Sequence, residues 1–322
     1  MLTKNQFALL SYIAVRPADK PALSQRAIAQ GTGKALGTVN GLVKQLDAMG
    51  YLDGANRITD AGRAALAPYR VDNAVIMAAG MSSRFAPLSY EKPKALLKVK
   101  GEVLIEREIR QLQAAGIDDI TIVVGYMKEK LFYLEDRFHV KIVINEDYHR
   151  YNNPSTLMLV RDRLKNTFIC SSDNYFEQNP FEPYVYQAYY ASLYSAGKTD
   201  EYCMVTNRKG RITGVQVGGS DAWYMIGHAY FDRSFSEKFT QILEREYDSP
   251  VTRAGLWEDL YARHIRELEM YIRKYPGGIH EFDSLDELRA FDSAYVTNTD
   301  SYIFDNICTV PVSYTHLTLP TT

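Results

Sequence analysis

The feature that most constrains this chain is an apolar run closing on a small-residue loop: "AVIMAAGMSSRF", residues 74–85, continued by "APLSYEKPKALL", 86–97. An uninterrupted apolar run ending in glycine reads as a strand buried on both faces, the kind that parallel sheets supply. In open α/β sheets ligands lie beyond the carboxyl ends of the strands, so the loop behind this run is a candidate binding site. Gly80, Ser82 and Ser83 are small enough to let backbone N–H groups approach an anion, and Arg84, Lys92 and Lys94 bring positive charge to it. A phosphate is the simplest ligand of that description.

The pattern then alternates. Strand-like runs "ITIVV" (120–124), "VKIVI" (140–144) and "FIC" (168–170) are separated by helical stretches near 103–115, 128–137 and 155–163. That order predicts an α/β fold, a doubly wound, mostly parallel sheet of Rossmann-like type. GxGxxG is absent and no acidic residue follows the second strand as a ribose clamp, which argues against a dinucleotide site; GKS and GKT are absent too, which argues against a P-loop.

The first 70 residues differ in charge. They carry nine Lys/Arg against four Asp/Glu, whereas the remainder carries 28 against 35, so two modules with different partners are expected. Apolar spacing predicts a helix in "NQFALLSYIAV" and a second behind the cap Ser24. A third should bury Val39, Leu42, Val43 and Leu46, and a short hairpin should cross Asp53-Gly54 before a last helix. This order resembles the winged helix-turn-helix modules of bacterial regulators, and "ITDAGRAAL" resembles the segment after their wing. The resemblance implies that Thr38, Asn40 and Lys44 stand nearest DNA and that Arg57 touches phosphate. A protein-binding or purely structural use of the same module is the alternative.

No apolar run approaches the ~18 residues of a membrane span, and the N-terminus lacks a secretion-type apolar block. A cytoplasmic protein with no membrane contact is expected. Three scattered cysteines, Cys170, Cys203 and Cys308, suggest neither a disulfide framework nor a metal knuckle.

"AAGMSSRFAPLSYEKPKALLKVKGEVLIEREI" resembles the opening of the nucleotidyltransferases that make NDP-sugars and related activated head groups, whose loop reads roughly (L/M)AAGxGxR followed by KPK. "IVVGYMKEKLFYL", "INEDYHRYNNPSTLMLV", "SSDNYF" and "IHEFDSLDEL" resemble bacterial CTP:phosphocholine cytidylyltransferases most, and the likeness spans about 73–292. It implies Mg²⁺-dependent transfer of a nucleotidyl group from CTP to phosphocholine. Ala78, Ala79 and Gly80 to Arg84 would wrap the triphosphate, with Arg84 on its β/γ portion and Lys94 on the α-phosphate or the incoming phosphate. The family's second loop glycine is Ser82 here. Asp173 and Asp283 would hold Mg²⁺; Asp283 as a helix cap is the alternative reading. Tyr126, Asn153 and Ser155 would border base and ribose. Tyr202, Tyr230 and Trp257 fall where such enzymes place the aromatic cage for choline, although at Tyr202 the family tends to have tryptophan.

Three segments are therefore expected: a winged helix-turn-helix domain (1–70), a nucleotidyltransferase domain (71–300) and a tail (301–322). Within the tail, "PVSYTHLTLPTT" (311–322) resembles a translated sequencing adapter. The native protein is expected to continue, with a choline-kinase-like domain as the candidate neighbour. Two rival functions stand: a sugar-1-phosphate nucleotidyltransferase, and a transcriptional regulator whose transferase-like body senses a metabolite.

Overall fold

The computed structural model describes residues 1–17, 20–297, 299 and 301–309. Four helices come first: α1 (Lys4–Ala14), α2 (Gln25–Thr32), α3 (Leu36–Ala48) and α4 (Asp60–Leu66). Val39, Leu42, Val43 and Leu46 of α3 are buried with Leu9, Leu10, Ile28 and Leu66, as the helical spacing requires. Ser24 caps α2 by accepting from the Ala27 N–H at 3.2 Å, and Gly33 ends that helix at φ 63°, a conformation that suits glycine. Thr38, Asn40 and Lys44 lie exposed. The expected hairpin reduces to one antiparallel bridge, Leu52 to Ile58. The cause is Asp53, whose carboxylate accepts from the N–H groups of Ala55 and Arg57 and from Arg57 Nε, winding 53–57 into a closed loop. Arg57 is thereby already paired, at 2.8 Å.

This helical head is stitched to the body. Phe7, Tyr69 and Tyr186 form a ring cluster with centroids 5.0–5.6 Å apart. Asn166 Nδ2 donates to the carbonyls of Pro68 and Arg70, both at 2.9 Å.

The body is built on one seven-stranded sheet. Its strands are β1 (Asn73–Ala78), β4 (Ile120–Val124), β5 (Lys141–Ile144), β6 (Thr167–Ser171), β8 (Tyr189–Thr206), β9 (Ile212–Phe231) and β10 (Tyr271–Lys274), in the order β10-β8-β9-β6-β1-β4-β5. Two small pairs complete the strands: β2 (Lys98–Val99) with β3 (Glu102–Val103), and β7 (Asn174–Phe176) with β11 (Ile279–Glu281). From β5 through β4 and β1 to β6 all neighbours are parallel, as the alternation predicted; β9 then runs antiparallel to β6.

Strand periodicity distributes side chains to two cores. Ala74, Ile76, Ala78, Ile120, Ile122 and Val124 face α5 (Leu104–Ala114) and α6 (Tyr133–Phe138). Val75, Val123 and Ile169 face α7 (Asn153–Leu159), α8 (Arg233–Glu246) and α10 (Trp257–Arg263), with α9 (Pro250–Ala254) beside them. Each fully buried Leu or Phe in these layers contributes roughly 1.5–3 kcal/mol. The stretch expected as a helix over 155–163 begins two residues earlier behind Asn152 and ends at Leu159.

Three further helices, α11 (Leu285–Phe291), α12 (Ala294–Thr297) and α13 (Tyr302–Thr309), follow β11. Phe304 of α13 packs against the cluster of Phe85, Leu97 and Phe282. Folded chain therefore continues past residue 300, into the segment expected as tail. The adapter-like residues 311–322 lie outside the described residues, and Cys308 is described in its backbone alone. Among the described residues no helix is long and apolar enough to cross a membrane.

Candidate active site

The loops that follow β1, β4 and β5 meet beyond the carboxyl ends of those strands. The Tyr126 N–H donates to the Ala79 carbonyl at 3.2 Å, tying the first two loops together. Gly125 makes this approach possible: a Cβ there would stand 2.7 Å from Tyr148 Cβ and 2.8 Å from the Ala79 carbonyl oxygen. Ser82 adopts φ 50°, the left-handed conformation that glycine takes without strain. The loop thus keeps a glycine-type turn at the position where its resemblance pattern carries glycine.

A cleft of about 210 Å³ opens over this loop. Ala78, Ala79, Gly80, Ser82, Lys94, Asn153 and Asp173 line it, all expected from the sequence. Ser83 and Tyr126 are placed otherwise. Ser83 is exposed at the start of a short 3₁₀ turn, and the Tyr126 hydroxyl donates to the Ser89 carbonyl at 2.9 Å, which braces the loop from behind. Ser155 is buried and also acts from behind: its hydroxyl donates to the Asn152 carbonyl at 2.8 Å and accepts from Asn145 Nδ2 at 2.9 Å. Asn153 Oδ1 accepts the Trp257 N–H at 2.7 Å.

Nine lining residues were not expected from the sequence, among them Asn145, Tyr148, Tyr151 and Thr156. Only the end of β5 offered a signal for these four, since strand ends are where ligands gather. Asn145 is the organiser, bonding Ser155 and Thr156 with its amide nitrogen and accepting from the Asp147 N–H with its oxygen.

Lys94 is the centre of charge. It follows Pro93, whose extended backbone delivers it to a 3₁₀ turn, and its side chain is 9% exposed. Its Nζ lies 2.8 Å from Asp173 Oδ2 and 3.6 Å from Asp283 Oδ1, with the Phe85 ring centroid at 5.2 Å. Burial alone would depress the Lys94 pKa, but Asp173, Glu281 and Asp283 outweigh it and the net direction is up. Arg84 Nη1 meets the other oxygen of Asp283 at 2.9 Å, from a side chain 73% exposed.

The carboxylates come from distant parts of the chain. Asp173 follows β6, Asp283 follows β11, and the antiparallel pairing of Glu281 with Asn174 draws them together. Ser284, not Asp283, caps α11: its hydroxyl accepts from the Glu287 N–H, and Glu287 reaches back to the N–H groups of Ser284 and Asp283. The Asp283 carboxylate is left to the two cations. Among the described residues no group of three or more His, Cys, Asp or Glu stands ready for a metal ion. Two carboxylates do meet at Lys94 Nζ, Asp173 at 2.8 Å and Asp283 at 3.6 Å, and hard oxygens of that kind suit a divalent cation completed by water or phosphate.

A second cavity of about 410 Å³ is lined by Asp283 together with Glu201, Glu281, Glu287, Tyr194 and Tyr224. Glu281 also lines this cavity; desolvation first, and then repulsion from Asp173, raises its pKa against the pull of Lys94. Glu201 is raised as well, first by burial and then by Asp283.

The aromatic cage expected at Tyr202, Tyr230 and Trp257 does not face this cavity. Tyr230 and Trp257 are 0% and 1% exposed. Tyr230 packs on Phe168 and Tyr189, and Trp257 stacks on Tyr190 with centroids 5.5 Å apart. Tyr202 turns its hydroxyl to Asp259 at 2.9 Å. Large rings fill cores, as Tyr230 and Trp257 do, while half-buried Tyr202 packs at the edge of the same core; Tyr194 and Tyr224 are the rings presented instead.

Comparison with known proteins agrees with this geometry. A family profile described as MobA-like NTP transferase domain matches residues 74–244. The chain is 32% identical over 220 residues to the choline-phosphate cytidylyltransferase of Streptococcus pneumoniae, covering 68% of this chain and 96% of that protein. It is 34% identical over 229 residues to the 2-aminoethylphosphonate cytidylyltransferase of Lancefieldella rimae, covering 70% and 93%. The solved CTP:phosphocholine cytidylyltransferase of Streptococcus pneumoniae superposes with a TM-score of 0.67 over 70% of this chain and 98% of its own. A thymidylyltransferase-type structure from Bacillus anthracis, 17% identical with a TM-score of 0.56, shares the fold. With the loop, the buried lysine and the facing carboxylates in place, the chain belongs to the MobA-like NTP transferases, as a nucleotidyltransferase of the choline-phosphate cytidylyltransferase-like kind.

Proposed function

We propose that this chain transfers a cytidylyl group from CTP to the phosphate of phosphocholine, forming CDP-choline and pyrophosphate. The observation that carries the reading is Lys94, buried in the loop cleft and paired with Asp173, which lines that cleft, and with Asp283, which lines the acidic cavity beside it. A phosphocholine oxygen attacks the α-phosphorus, the bond from that phosphorus to the bridging oxygen breaks, and pyrophosphate leaves. The nucleophile is already ionised and needs no base. Gly80 and Ser82 offer backbone to the triphosphate, Arg84 has the freedom to follow its outer phosphates, and Lys94 meets the charge that builds at the α-phosphate. Tyr148 and Tyr151 offer ring faces to the pyrimidine, with Asn153 and Thr156 at its rim. Mg²⁺ held by Asp173 and Asp283 would neutralise the triphosphate and favour departure of pyrophosphate.

On the acceptor side a cationic head suits the four carboxylates of the second cavity, and Tyr194 and Tyr224 give a trimethylammonium group aromatic faces. A second acceptor is favoured by one observation, the excess of carboxylates over rings. A primary ammonium, with three N–H donors, suits such a lining, as in 2-aminoethylphosphonate. Pyrophosphate release with CTP and Mg²⁺ tests both. It is expected with phosphocholine, at a kcat/KM above that for 2-aminoethylphosphonate. The reverse order selects the second acceptor, activity with glucose-1-phosphate alone selects a sugar enzyme, and CTP binding without release selects a sensor.

For the head we propose a winged helix-turn-helix module that contacts DNA through Thr38, Asn40, Lys44 and Arg57. The exposure of the first three on α3 supports it, and the Asp53 pair on Arg57 tempers the basic charge. Duplex binding that weakens with rising salt is expected, and no binding in the low micromolar range at low salt leaves the head a structural role. Cys170 and Cys203 are free and buried, in keeping with the cytoplasmic expectation.

A further inference from the structure

We propose that Lys94 is an internal counter-ion that latches the carboxylate pair shut, so that the nucleotide-free protein rejects the divalent metal and metal and CTP enter together. The inference rests on the reading of Asp173 and Asp283 as metal ligands, and deepens it.

Three observations carry it. Lys94 Nζ stands 2.8 Å from one carboxylate and 3.6 Å from the other, bridging the two. Phe85 lies 5.2 Å from that ammonium and leaves its side chain 9% exposed, so the nitrogen is held in place and screened little by water. Arg84 occupies the remaining oxygen of Asp283 at 2.9 Å. Lys94 and Arg84 thus already neutralise the two aspartates, and a divalent ion placed among the same oxygens would sit within a few ångströms of an ammonium, with strong repulsion.

A triphosphate changes that balance. It brings several negative charges to the loop of Gly80 and Ser82, which lines the same cleft as Lys94. Both cations then have an anion to follow: the four-carbon stem of Lys94 can swing from carboxylate to phosphate, and Arg84 is exposed enough to move with it. The aspartates are released as the phosphate oxygens that complete a metal's shell arrive. Each ligand removes the obstacle to the other, so their coupling is reciprocal.

The test is Mn²⁺ binding to the full chain without nucleotide, read by loss of the free-ion electron paramagnetic resonance signal and by the shift in melting temperature. Wild type is expected to take up no Mn²⁺ at concentrations where Lys94→Met and Lys94→Gln do, the variants binding about tenfold tighter or more. The Gln variant keeps a hydrogen-bond donor beside the aspartates and guards against a Met variant that fails to fold; metal-free melting curves check both. Adding Asp173→Asn to the Lys94→Gln variant should abolish the gain, which assigns the metal to this pair. Equal Mn²⁺ affinity in wild type and both variants overturns the latch while leaving the proposed function intact, provided wild type releases pyrophosphate in a metal-dependent way. Release that is independent of metal removes the metal reading itself, and the latch with it.

Discussion

The two sides of the cleft are built on different principles. On the nucleotide side, polar groups are spoken for: Asn145, Ser155, Asn153 and Tyr126 spend their hydrogen bonds on one another or on backbone, and the result is a shaped cavity with a backbone floor. On the acceptor side, Glu201, Glu281, Asp283 and Glu287 crowd together, and desolvation followed by like charge raises the pKa of Glu201 and Glu281. Satisfied groups make a rigid mould, whereas crowded carboxylates make a field that waits for a cation. Lys94 stands between the two and answers to both.

Asp173→Ala should disable both sides at once. It removes a partner of Lys94 and a proposed metal ligand together, so kcat/KM for both substrates should fall by about 10³-fold while the melting curve stays cooperative. A loss confined to one substrate would mean that the two sides do not share this residue.

Gly125→Ala attacks the nucleotide side alone. Its methyl would enter the space of Tyr148 and of the Ala79 carbonyl, so the KM for CTP should rise roughly tenfold or more, with a stability loss of about 1–3 kcal/mol. The KM for the acceptor should change little.

Glu201→Gln and Tyr202→Phe sharpen the acceptor side as a pair of neighbours. The first removes a carboxylate from the cavity and should raise the acceptor KM about tenfold without changing that for CTP. The second removes only the hydroxyl bonded to Asp259 and should leave the acceptor KM within about twofold. A larger effect at Tyr202 than at Glu201 would restore the aromatic cage.

Glu258 separates stability from function. It is buried beneath Asn153, accepts from the Tyr190 hydroxyl at 2.9 Å, and burial pushes its pKa up to about 7. The folded protein therefore prefers the protonated carboxyl, while the unfolded chain ionises it near the ordinary 4.5. Its stabilising contribution is complete below pH ~4.5 and fades as pH rises to about 7, by up to ~3 kcal/mol. Glu258→Gln should flatten the fall in melting temperature between pH 5 and 8; an unchanged profile would assign that fall elsewhere.

Much of the nucleotide side was legible because its signals are local. An apolar run, a glycine and a KPK segment within about 20 residues specify a strand, a tight loop and two cations without reference to the rest of the chain. The Ser24 cap and the buried face of α3 were legible for the same reason, since caps and helical periodicity act over one to three turns. The acceptor side was not. β8 and β9 slip register between Thr199 and Tyr202, so a residue's face cannot be counted by alternation through that point, and Glu201 rather than Tyr202 enters the cavity.

Residue spacing over short range dictates the parallel sheet, the small-residue loop with its cations, and the helical head. Folding in three dimensions brings Asp283 and Asp173, 110 residues apart in the chain, together through the β7–β11 pair, sends Tyr230 and Trp257 to the core, and sets Lys94 between the carboxylates. Those outcomes depend on long-range strand pairing and on competition among buried groups for partners, and neither is written in any one stretch of the chain.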